Sequence, residues 1–457
     1  MMGFGHLVKR IAAAAAALAM LAAQPASAQS LLRDAETEAL LADMTRDIIV
    51  AAGLRPTDMR VVILQDPSIN AFVAGGQVVY IHSGLIDAAD NVNQVQGVVA
   101  HEIGHIVGGH VALGDRAMKG VAGVSIVSLL LGAAAMAAGA GEAGAGILAA
   151  GQQAAMGKFL SFTRVQESSA DAAGARFLNS AHVSGRGMLE FFKKLQNLEV
   201  RHGVKQDQGS FDRTHPLSGE RIAALTQDLS GSKWWNTKPD PALEARFQRV
   251  RAKLRGYVNE PRDTLNAYPP DDRSIPAHYA RAYAYHKSGY PDQAATETAA
   301  LVKAAPNDPY FLELEGQVRL EAGDPKGALG PLREATQRAN GQPLIATTFG
   351  HALLATDDPA NLPEAEKVLR QAVSRDDENP FAWVQLGTVY ERKGDGPRTA
   401  LATAERANLM GDARTALVSA RAAMAGLPQG SSDWIRAQDI LLVSQTAVDE
   451  QKRNRRK

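Results

Sequence analysis

The chain has 457 residues, 45% hydrophobic and 21% charged, which is the composition of a globular protein. Lys plus Arg and Asp plus Glu number 49 each, and no basic stripe is visible, which argues against a nucleic-acid-binding protein. The basic run Lys452–Lys457 is expected to be a disordered tail. Because the chain has no cysteine, disulfides, thiolate metal sites, cysteine nucleophiles and cysteine-linked lipid anchors are excluded.

The N-terminus has the three parts of a secretory signal peptide. Lys9 and Arg10 precede the apolar run Ile11–Ala23, and Ala26-Ser27-Ala28 has the small-x-small pattern of a cleavage site. We therefore expect cleavage after Ala28; the alternative is an uncleaved anchor. Export without disulfides is typical of a bacterial periplasm, where a large domain is stabilised by its own core.

The next segments predict a small α+β unit. Residues 36–52 have helical spacing, and residues 60–64 form a short apolar run typical of a strand. Residues 70–74 and 77–82 are two more strand-like runs around Gly75-Gly76, which predicts a β-hairpin. Asn91 is a candidate cap for a helix that runs to residue 110.

Residues 120–141 contain no charged side chain, and by length this segment is sufficient to span a membrane. Its composition is rich in Ala and Gly, so its transfer free energy into lipid is modest. Two interpretations stay open: a peripheral or re-entrant membrane contact, and a buried helical hairpin beside the active site.

The C-terminal part contains a repeat. The pattern of Gly289–Ala294 recurs at Gly323–Ala328, and Asn307–Pro309 recurs at Gly341–Pro343, both with an offset of 34 residues. This is the period of tetratricopeptide repeats, whose helix pairs stack into a solenoid because no pair buries its own apolar face. A proline-rich stretch that starts at Pro261 precedes the repeats and predicts a domain boundary between residues 262 and 263.

The strongest chemical signal is the motif His101-Glu102-Ile103-Gly104-His105. Residues four apart share one face of a helix, so both imidazoles point at one zinc ion and the intervening carboxylate lies where it takes a proton from water. The alternative is a pair of solvent-facing histidines, which the apolar residues around the motif disfavour because such a helix is buried.

A third ligand is required, and two candidates were considered. His110 stands one residue short of the spacing of an extended zinc motif, so we reject it as a ligand. Glu167 and Asp171 are four residues apart on a later helix, so Glu167 is placed to bind the metal and Asp171 to orient a ligand histidine. By spacing alone, a solvated acidic pair is equally compatible.

These motifs resemble a known family. HEIGH, the later Glu167–Asp171 motif, the hairpin Asn70–Gly76 and the segment Thr214–Arg221 are similar in order and spacing to the zinc metalloproteases that include HtpX and the CAAX-prenyl endopeptidase. The combination of signal peptide, protease domain and tetratricopeptide repeats looks most like the BepA-like periplasmic branch, which acts in outer-membrane protein assembly and quality control. The chain lacks the several apolar spans of the two membrane-embedded members.

The resemblance implies a role for each matching residue. His101, His105 and Glu167 would bind one zinc ion per chain, with Glu102 as the general base. Asp171 would support a ligand from behind, and His215 would be a regulatory ligand or a helper in catalysis. Arg221 would act in catalysis by anchoring the His215 loop or the substrate. The run Asn70, Ala71, Phe72 and Val73 would be an edge strand to which an extended substrate adds itself.

The predicted fold is mainly α: an α+β HExxH metalloprotease domain with a small sheet, followed by an α-solenoid of tetratricopeptide-like repeats. The predicted division is a signal peptide (1–28), a zinc metalloprotease domain (29–262), a repeat domain (263–445) and a basic disordered tail (446–457). The predicted function is a periplasmic zinc endopeptidase of the gluzincin type. It would degrade unfolded or misassembled envelope proteins and contact the outer-membrane assembly machinery. The alternatives are a chaperone or adaptor whose protease site is normally latent, and a membrane-embedded protease that depends on residues 120–141.

Overall fold

The structure is a computed structural model that describes residues 30–111, 113, 125–131, 141–202 and 215–455. The predicted signal peptide, residues 1–28, lies outside these ranges. The predicted apolar segment 120–141 is described at residues 125–131 and 141. Within the described ranges the chain is largely helical with one small sheet, which confirms the predicted fold class.

The sheet has four strands in the order β1-β2-β4-β3. Parallel pairing joins β2 (Arg60–Leu64) to β4 (Val78–His82), and β1 (Leu31–Leu32) and β3 (Ala71–Ala74) pair antiparallel at the two edges. Gly75 and Gly76, in the turn between β3 and β4, have φ of 63° and 96°, a conformation that other residues rarely adopt. The predicted hairpin is therefore present, and β3 lies at an edge of the sheet.

Helices pack on this sheet around one apolar core. The core includes Ile63 and Ile81 of the strands and Phe191 of a helix, each at most 2% exposed. The helices of this part are α1 (Ala35–Ala51), α2 (Ser83–Ala88), α3 (Val92–Val107), α4 (Gly141–Ser180), α5 (Arg186–His202), α6 (Gly219–Ser230) and α7 (Pro241–Val258). Asn91 caps α3 as predicted, because its side chain accepts a hydrogen bond from the backbone N–H of Gln94.

The repeats follow as antiparallel helix pairs. Their helices are α8 (Pro261–Ala267), α9 (Ile275–Lys287), α10 (Pro291–Ala304), α11 (Pro309–Glu321), α12 (Pro325–Arg338), α13 (Pro343–Ala355), α14 (Leu362–Arg375), α15 (Pro380–Arg392), α16 (Gly396–Leu409), α17 (Ala413–Gly426) and α18 (Ser432–Arg455). The 34-residue offset seen in the sequence places prolines in the first turn of successive helices, where their missing N–H costs no hydrogen bond. A short 3₁₀ turn, Pro359–Asn361, lies between α13 and α14.

Buried charges hold the repeats against the first part of the chain. Glu36 at the start of α1 is 1% exposed; it accepts a hydrogen bond of 2.6 Å from the Tyr279 hydroxyl and pairs with Arg249 of α7. Lys253, also on α7, lies 2.5 Å from Asp34. Helix α7 contributes Phe247 to the core around the sheet and cations to this junction, so it joins both parts. The predicted boundary at 262/263 falls in the following helix, α8.

The structure contradicts one predicted segment. Residues 446–455 continue helix α18 instead of forming a disordered tail. Val448 is 6% exposed and packs against Ala413 and Leu417, and Gln445 donates a hydrogen bond of 2.9 Å to Asp449 one turn later. The prediction of a disordered tail failed because it used only the charge of the last residues and did not include the apolar contact of Val448.

Residues 125–131 are helical, and their large aliphatic side chains are exposed, so the interpretation as a buried hairpin is wrong for this described part. Across the ranges that the structure describes, no helix combines the length and the apolarity needed to cross a membrane.

Candidate metal centre

Helix α3 carries the HExxH motif inside the core. Val95, Val98, Val99 and Ile103 are completely buried on this helix. A Cβ at Gly104 would lie 2.6 Å from the carbonyl oxygen of Ala170, so the glycine lets α4 approach this point of α3 closely. The close approach brings the Glu167–Asp171 turn of α4 beside the two histidines.

Four side chains converge where α3, α4 and the residues before α6 meet. The Nε2 atoms of His101 and His105 are 3.1 Å apart, and each lies 3.4 Å from an oxygen of Glu167. His215 completes the group, with its Nδ1 3.2 Å from His101 Nε2 and 3.1 Å from Glu167 Oε2. One ligand atom from each of the four lies within 4.8 Å of the others, and all four residues are buried.

The donor set fits a zinc ion. Three imidazoles and one carboxylate supply the nitrogen and oxygen ligands that zinc takes in four-coordinate sites. Both carboxylate oxygens of Glu102, which is completely buried, have no hydrogen-bond partner among the described residues. A buried carboxylate is costly unless something satisfies it, so this pocket is arranged for a cation and a water molecule rather than for dry packing.

Charge coupling sets the protonation of the cluster. Burial lowers the pKa of His105 to about 2, together with the positive charges of the nearby His101 and His215. Its imidazole is therefore neutral and ready to bind a metal. Burial acts against the charge of His101 too, but its contacts with Asp171 and Glu167 prevail and raise its pKa to about 10. A cation that binds here therefore displaces a proton from His101.

Two carboxylates in this site have opposite pKa shifts. Burial disfavours the charge of Glu167, but His215 and His101 outweigh it and hold the pKa of Glu167 below its usual value. Burial raises the pKa of Glu102, only partly opposed by His215 and His101. Glu167 is thus the permanent anion of the site, and Glu102 is the carboxylate that can take up and release a proton.

Asp171 supports the cluster from behind, at the position that its spacing predicted. Its Oδ1 lies 2.9 Å from His101 Nδ1, the ring nitrogen that faces away from the cluster. The Arg221 guanidinium donates two hydrogen bonds to Asp171, of 2.7 and 2.8 Å. A carboxylate that is itself held in place fixes the ring orientation and tautomer of a ligand histidine.

Arg221 is 5% exposed and faces Asp171 and Glu167. It also donates to the carbonyl oxygens of His215, at 3.3 Å, and Pro216, at 2.7 Å. These contacts fit anchoring of the His215 segment, one of the two roles expected from the sequence, and the role of Arg221 stays a prediction.

His110 was set aside as a ligand, and the structure places it outside the cluster but in contact with it. Its Nδ1 lies 2.9 Å from Nδ1 of His105, and the residue is 8% exposed. Gly109, at φ 62°, turns the chain back after α3, and a Cβ at Gly108 would lie 2.3 Å from the His110 ring. The rejection of His110 as a ligand agrees with the four-residue group, which does not include it, but the helix predicted to run to residue 110 ends at Val107. The Gly108-Gly109 pair was the available signal for that earlier end.

The predicted substrate strand β3 lies beside α3 at the sheet edge. The backbone N–H of His82 donates to the carbonyl oxygen of Asn70, so Asn70 and Phe72 turn their backbone groups toward β4. By the alternation of an antiparallel ladder, the backbone N–H and C=O of Ala71 and Val73 point outward from the sheet. Ala71 is completely buried and Val73 is partly exposed, so the part of this edge to which an extended chain can bind lies at Val73.

Comparisons with known proteins agree with this geometry. Residues 35–228 match peptidase family M48. The chain is 23% identical to the beta-barrel assembly-enhancing protease of Yersinia pestis, over 84% of this chain and 80% of that protein. It is 24% identical to the protease of the same name from Escherichia coli K12, over 70% and 65%.

A shorter similarity is to metalloprotease LoiP of Escherichia coli K12, which is 30% identical over 38% of this chain and 64% of its own length. Among solved structures, the tetratricopeptide protein YrrB aligns with 39% of this chain and 92% of its own, at 20% identity and a TM-score of 0.32. Together with the buried histidine and glutamate cluster, the family match shows that residues 35–228 are a zinc metallopeptidase domain of peptidase family M48.

Proposed function

We propose that this protein is an exported zinc endopeptidase that cuts unfolded or misassembled envelope proteins, and that its repeats select substrates or partners. The observation that carries the proposal is the buried group His101, His105, Glu167 and His215 beside the carboxylate of Glu102, whose oxygens accept no hydrogen bond from the described residues. The relatives named as beta-barrel assembly-enhancing proteases support an envelope setting and contact with the outer-membrane assembly machinery. The predicted signal peptide supports the periplasm as the compartment.

In the proposed mechanism, His101, His105 and Glu167 hold the zinc ion, which when bound polarises the scissile carbonyl and acidifies water. Glu102 accepts a proton from the water as the water oxygen bonds to the carbonyl carbon. The Glu102 carboxyl then delivers that proton to the amide nitrogen as the C–N bond breaks, which leaves a free carboxylate and an amine. Burial favours the protonated form of Glu102 and so assists the uptake step.

His215 is the proposed gate of the site. Its ring reaches Glu167 and lies 3.5 Å, through Nε2, from Glu102 Oε1, where the attacking water and the substrate carbonyl have to lie. Arg221 holds the His215 segment through two backbone carbonyls. Cleavage therefore requires that His215 leave this position, and the closed arrangement is the resting state.

Substrate selection is proposed to begin at β3. The outward N–H and C=O groups of Val73, which is partly exposed, pair with an extended peptide and place it along the edge next to α3, whereas Ala71 is completely buried. Only a polypeptide with an unpaired extended segment can bind in this way, so a compact folded protein is spared. The neighbouring Asn70 is 4% exposed and supports the strand from within rather than touching the peptide.

The second candidate is a chaperone or adaptor with a normally latent protease site. The contacts of His215 inside the cluster favour it, because they close the site in the resting protein. The repeats would then be the active surface and proteolysis an occasional event.

Zinc content and casein cleavage, measured together on the mature chain from residue 29, test the proposal. Glu102→Gln should bind one zinc ion per chain and have no activity, and His215→Ala should cleave faster than the natural chain. Zinc without cleavage in every form would favour the chaperone function. Failure of the natural chain to bind zinc would refute the ligand assignment itself.

A further inference from the structure

Helix α4 has two halves with different surroundings. It is 40 residues long, about 60 Å, and its C-terminal half packs in the protease core through Ala173, Phe177 and Leu178. Between residues 145 and 166, Gly151 and Ala155 are the buried positions among the side chains that the structure describes. The N-terminal half therefore extends away from the core instead of packing against it.

The helical segment 125–131 lies against this extending half. A Cβ added to Gly151 would lie 2.1 Å from Cβ of Ser128, so the two helices meet at a pair of small residues. Contacts between small residues let helix backbones approach closely, an arrangement common between helices in lipid. We call residues 125–131 together with residues 145–165 the apolar hairpin.

The apolar hairpin exposes aliphatic side chains on more than one side. In its first helix, Ile126, Val127, Leu129, Leu130 and Leu131 are each 56–65% exposed, although they are nearly consecutive and so point in different directions. The second helix adds exposed Ile147, Met156, Leu160 and Val165. A single protein partner covers one face of a helix, whereas a helix that is apolar all round is suited to an apolar medium.

The distribution of charges along the sequence also indicates that the hairpin is suited to an apolar medium. Residues 120–140 contain no Asp, Glu, Lys or Arg. Arg164 is exposed near the end of the hairpin that joins the core, where a guanidinium can reach lipid phosphates while the aliphatic side chains enter the acyl region. Apart from Glu142 at the start of α4, the charges of the hairpin, Lys158 and Arg164, lie toward the core, which matches the polarity profile of a bilayer surface.

We propose that the apolar hairpin inserts into the interfacial layer of a lipid bilayer and holds the protease domain at a membrane surface. The metal centre lies at the base of the hairpin, because Val107 and Val165, both half-exposed or more, are two residues from His105 and Glu167 respectively. Insertion therefore brings the catalytic site close to the membrane, where a protein that fails to insert or assemble exposes extended segments.

Vesicle flotation with the mature chain tests the proposal. The vesicles contain phosphatidylethanolamine with a minor fraction of phosphatidylglycerol, and the test variant is the triple substitution Leu129→Ser, Leu130→Ser and Leu131→Ser. The matched control, Val418→Ser with Leu442→Ser and Val443→Ser, removes three equally exposed aliphatic side chains, 58–67% exposed, from the repeats.

The natural chain and the control should float with the vesicles, and the test variant should bind them roughly tenfold more weakly or worse. Casein cleavage should be the same for test and control variants, and Glu102→Gln should float normally, which separates this proposal from the proposed enzymatic function. Leu130→Asp is a second variant that adds a charge at an exposed position, 65% exposed, in case the triple variant is poorly folded.

Two outcomes overturn the proposal. One is equal flotation of test and control variants, or no flotation of the natural chain. In the other, the natural chain does not float and is dimeric without lipid, while the test variant is monomeric. That result would assign the apolar hairpin to a contact with a second copy of the chain.

Discussion

The contact between Asp171 and His101 gives a sharp test of how the metal centre is built. Asp171→Asn keeps the shape of the side chain and removes its charge. The variant weakens the hydrogen bond to His101 Nδ1, which spans 2.9 Å and fixes the ring that presents Nε2 to the cluster. Loss of such a supporting carboxylate lowers zinc affinity about 10- to 100-fold, equivalent to about 1.4–2.8 kcal/mol.

The same substitution leaves the buried Arg221 guanidinium without its bidentate partner. Removing one partner of a buried pair costs about 3–5 kcal/mol, and the remaining contact with Glu167, at 3.1 Å, lowers that cost. Zinc affinity and stability therefore have to be measured separately, the first by competition with a chelating dye and the second by urea unfolding of the metal-free protein.

The double variant Asp171→Asn with Arg221→Gln separates the two effects. It should recover part of the lost stability, because no buried cation is left unpaired, and should not recover zinc affinity. Asp228→Asn, at an exposed position on α6, is the control and should change neither quantity. Unchanged zinc affinity in Asp171→Asn, measured where His101→Ala abolishes binding, would refute the orienting role.

Three further outcomes are expected. His110→Ala removes the 2.9 Å contact with His105 and should lower zinc affinity, though less than Asp171→Asn does. His110→Gln should restore part of that loss. Equal zinc affinities in all of these forms would show that the contact does not support the metal centre. Val73→Pro removes an outward N–H from β3 and should reduce casein cleavage roughly tenfold with zinc content unchanged, whereas Val73→Ala should cleave normally; equal cleavage by both would exclude β3 as the substrate strand. Burial raises the pKa of Glu313 from 4.5 to about 8, so the folded protein keeps a proton that the unfolded chain loses. The free energy of unfolding should therefore fall by about 1–3 kcal/mol between about pH 4.5 and 8, less than the ~5 kcal/mol of the full shift because Glu313 borders a water-accessible cavity. Urea titrations of Glu313→Gln should lack this slope, and an unchanged slope would contradict the assignment.

Local patterns predicted much of the architecture. The HExxH spacing and the Glu167–Asp171 spacing are properties of helices, in which residues four apart share a face whatever surrounds them. The Gly75-Gly76 turn and the first-turn prolines of the repeats are equally local, because the backbone conformations they allow are set by the residues themselves. These elements were predictable because each depends on contacts within a few residues along the chain.

Predictions failed where contacts between distant or non-helical residues decide the outcome. The end of α18 depends on Val448 packing against α17, which residue charges do not reveal. The helix predicted to run to residue 110 ends at Val107, and the left-handed turn at Gly109 that follows brings His110 into contact with His105. The exposure of residues 126–131 depends on which surfaces the rest of the chain covers, and an apolar composition is the same for a buried helix and an exposed one.

The sequence alone determined which residues have the chemistry of a zinc peptidase and that the C-terminal part repeats every 34 residues. It could not determine that Glu167, 62 residues after His105, reaches the same point in space, nor that Arg221 holds Asp171 and the His215 segment together. Those relations come from the close approach of α3 and α4 at Gly104 and from the packing of α6 beside them. Metal binding requires several ligands at one point, and only tertiary packing brings residues so far apart in the chain within a few ångströms of one another.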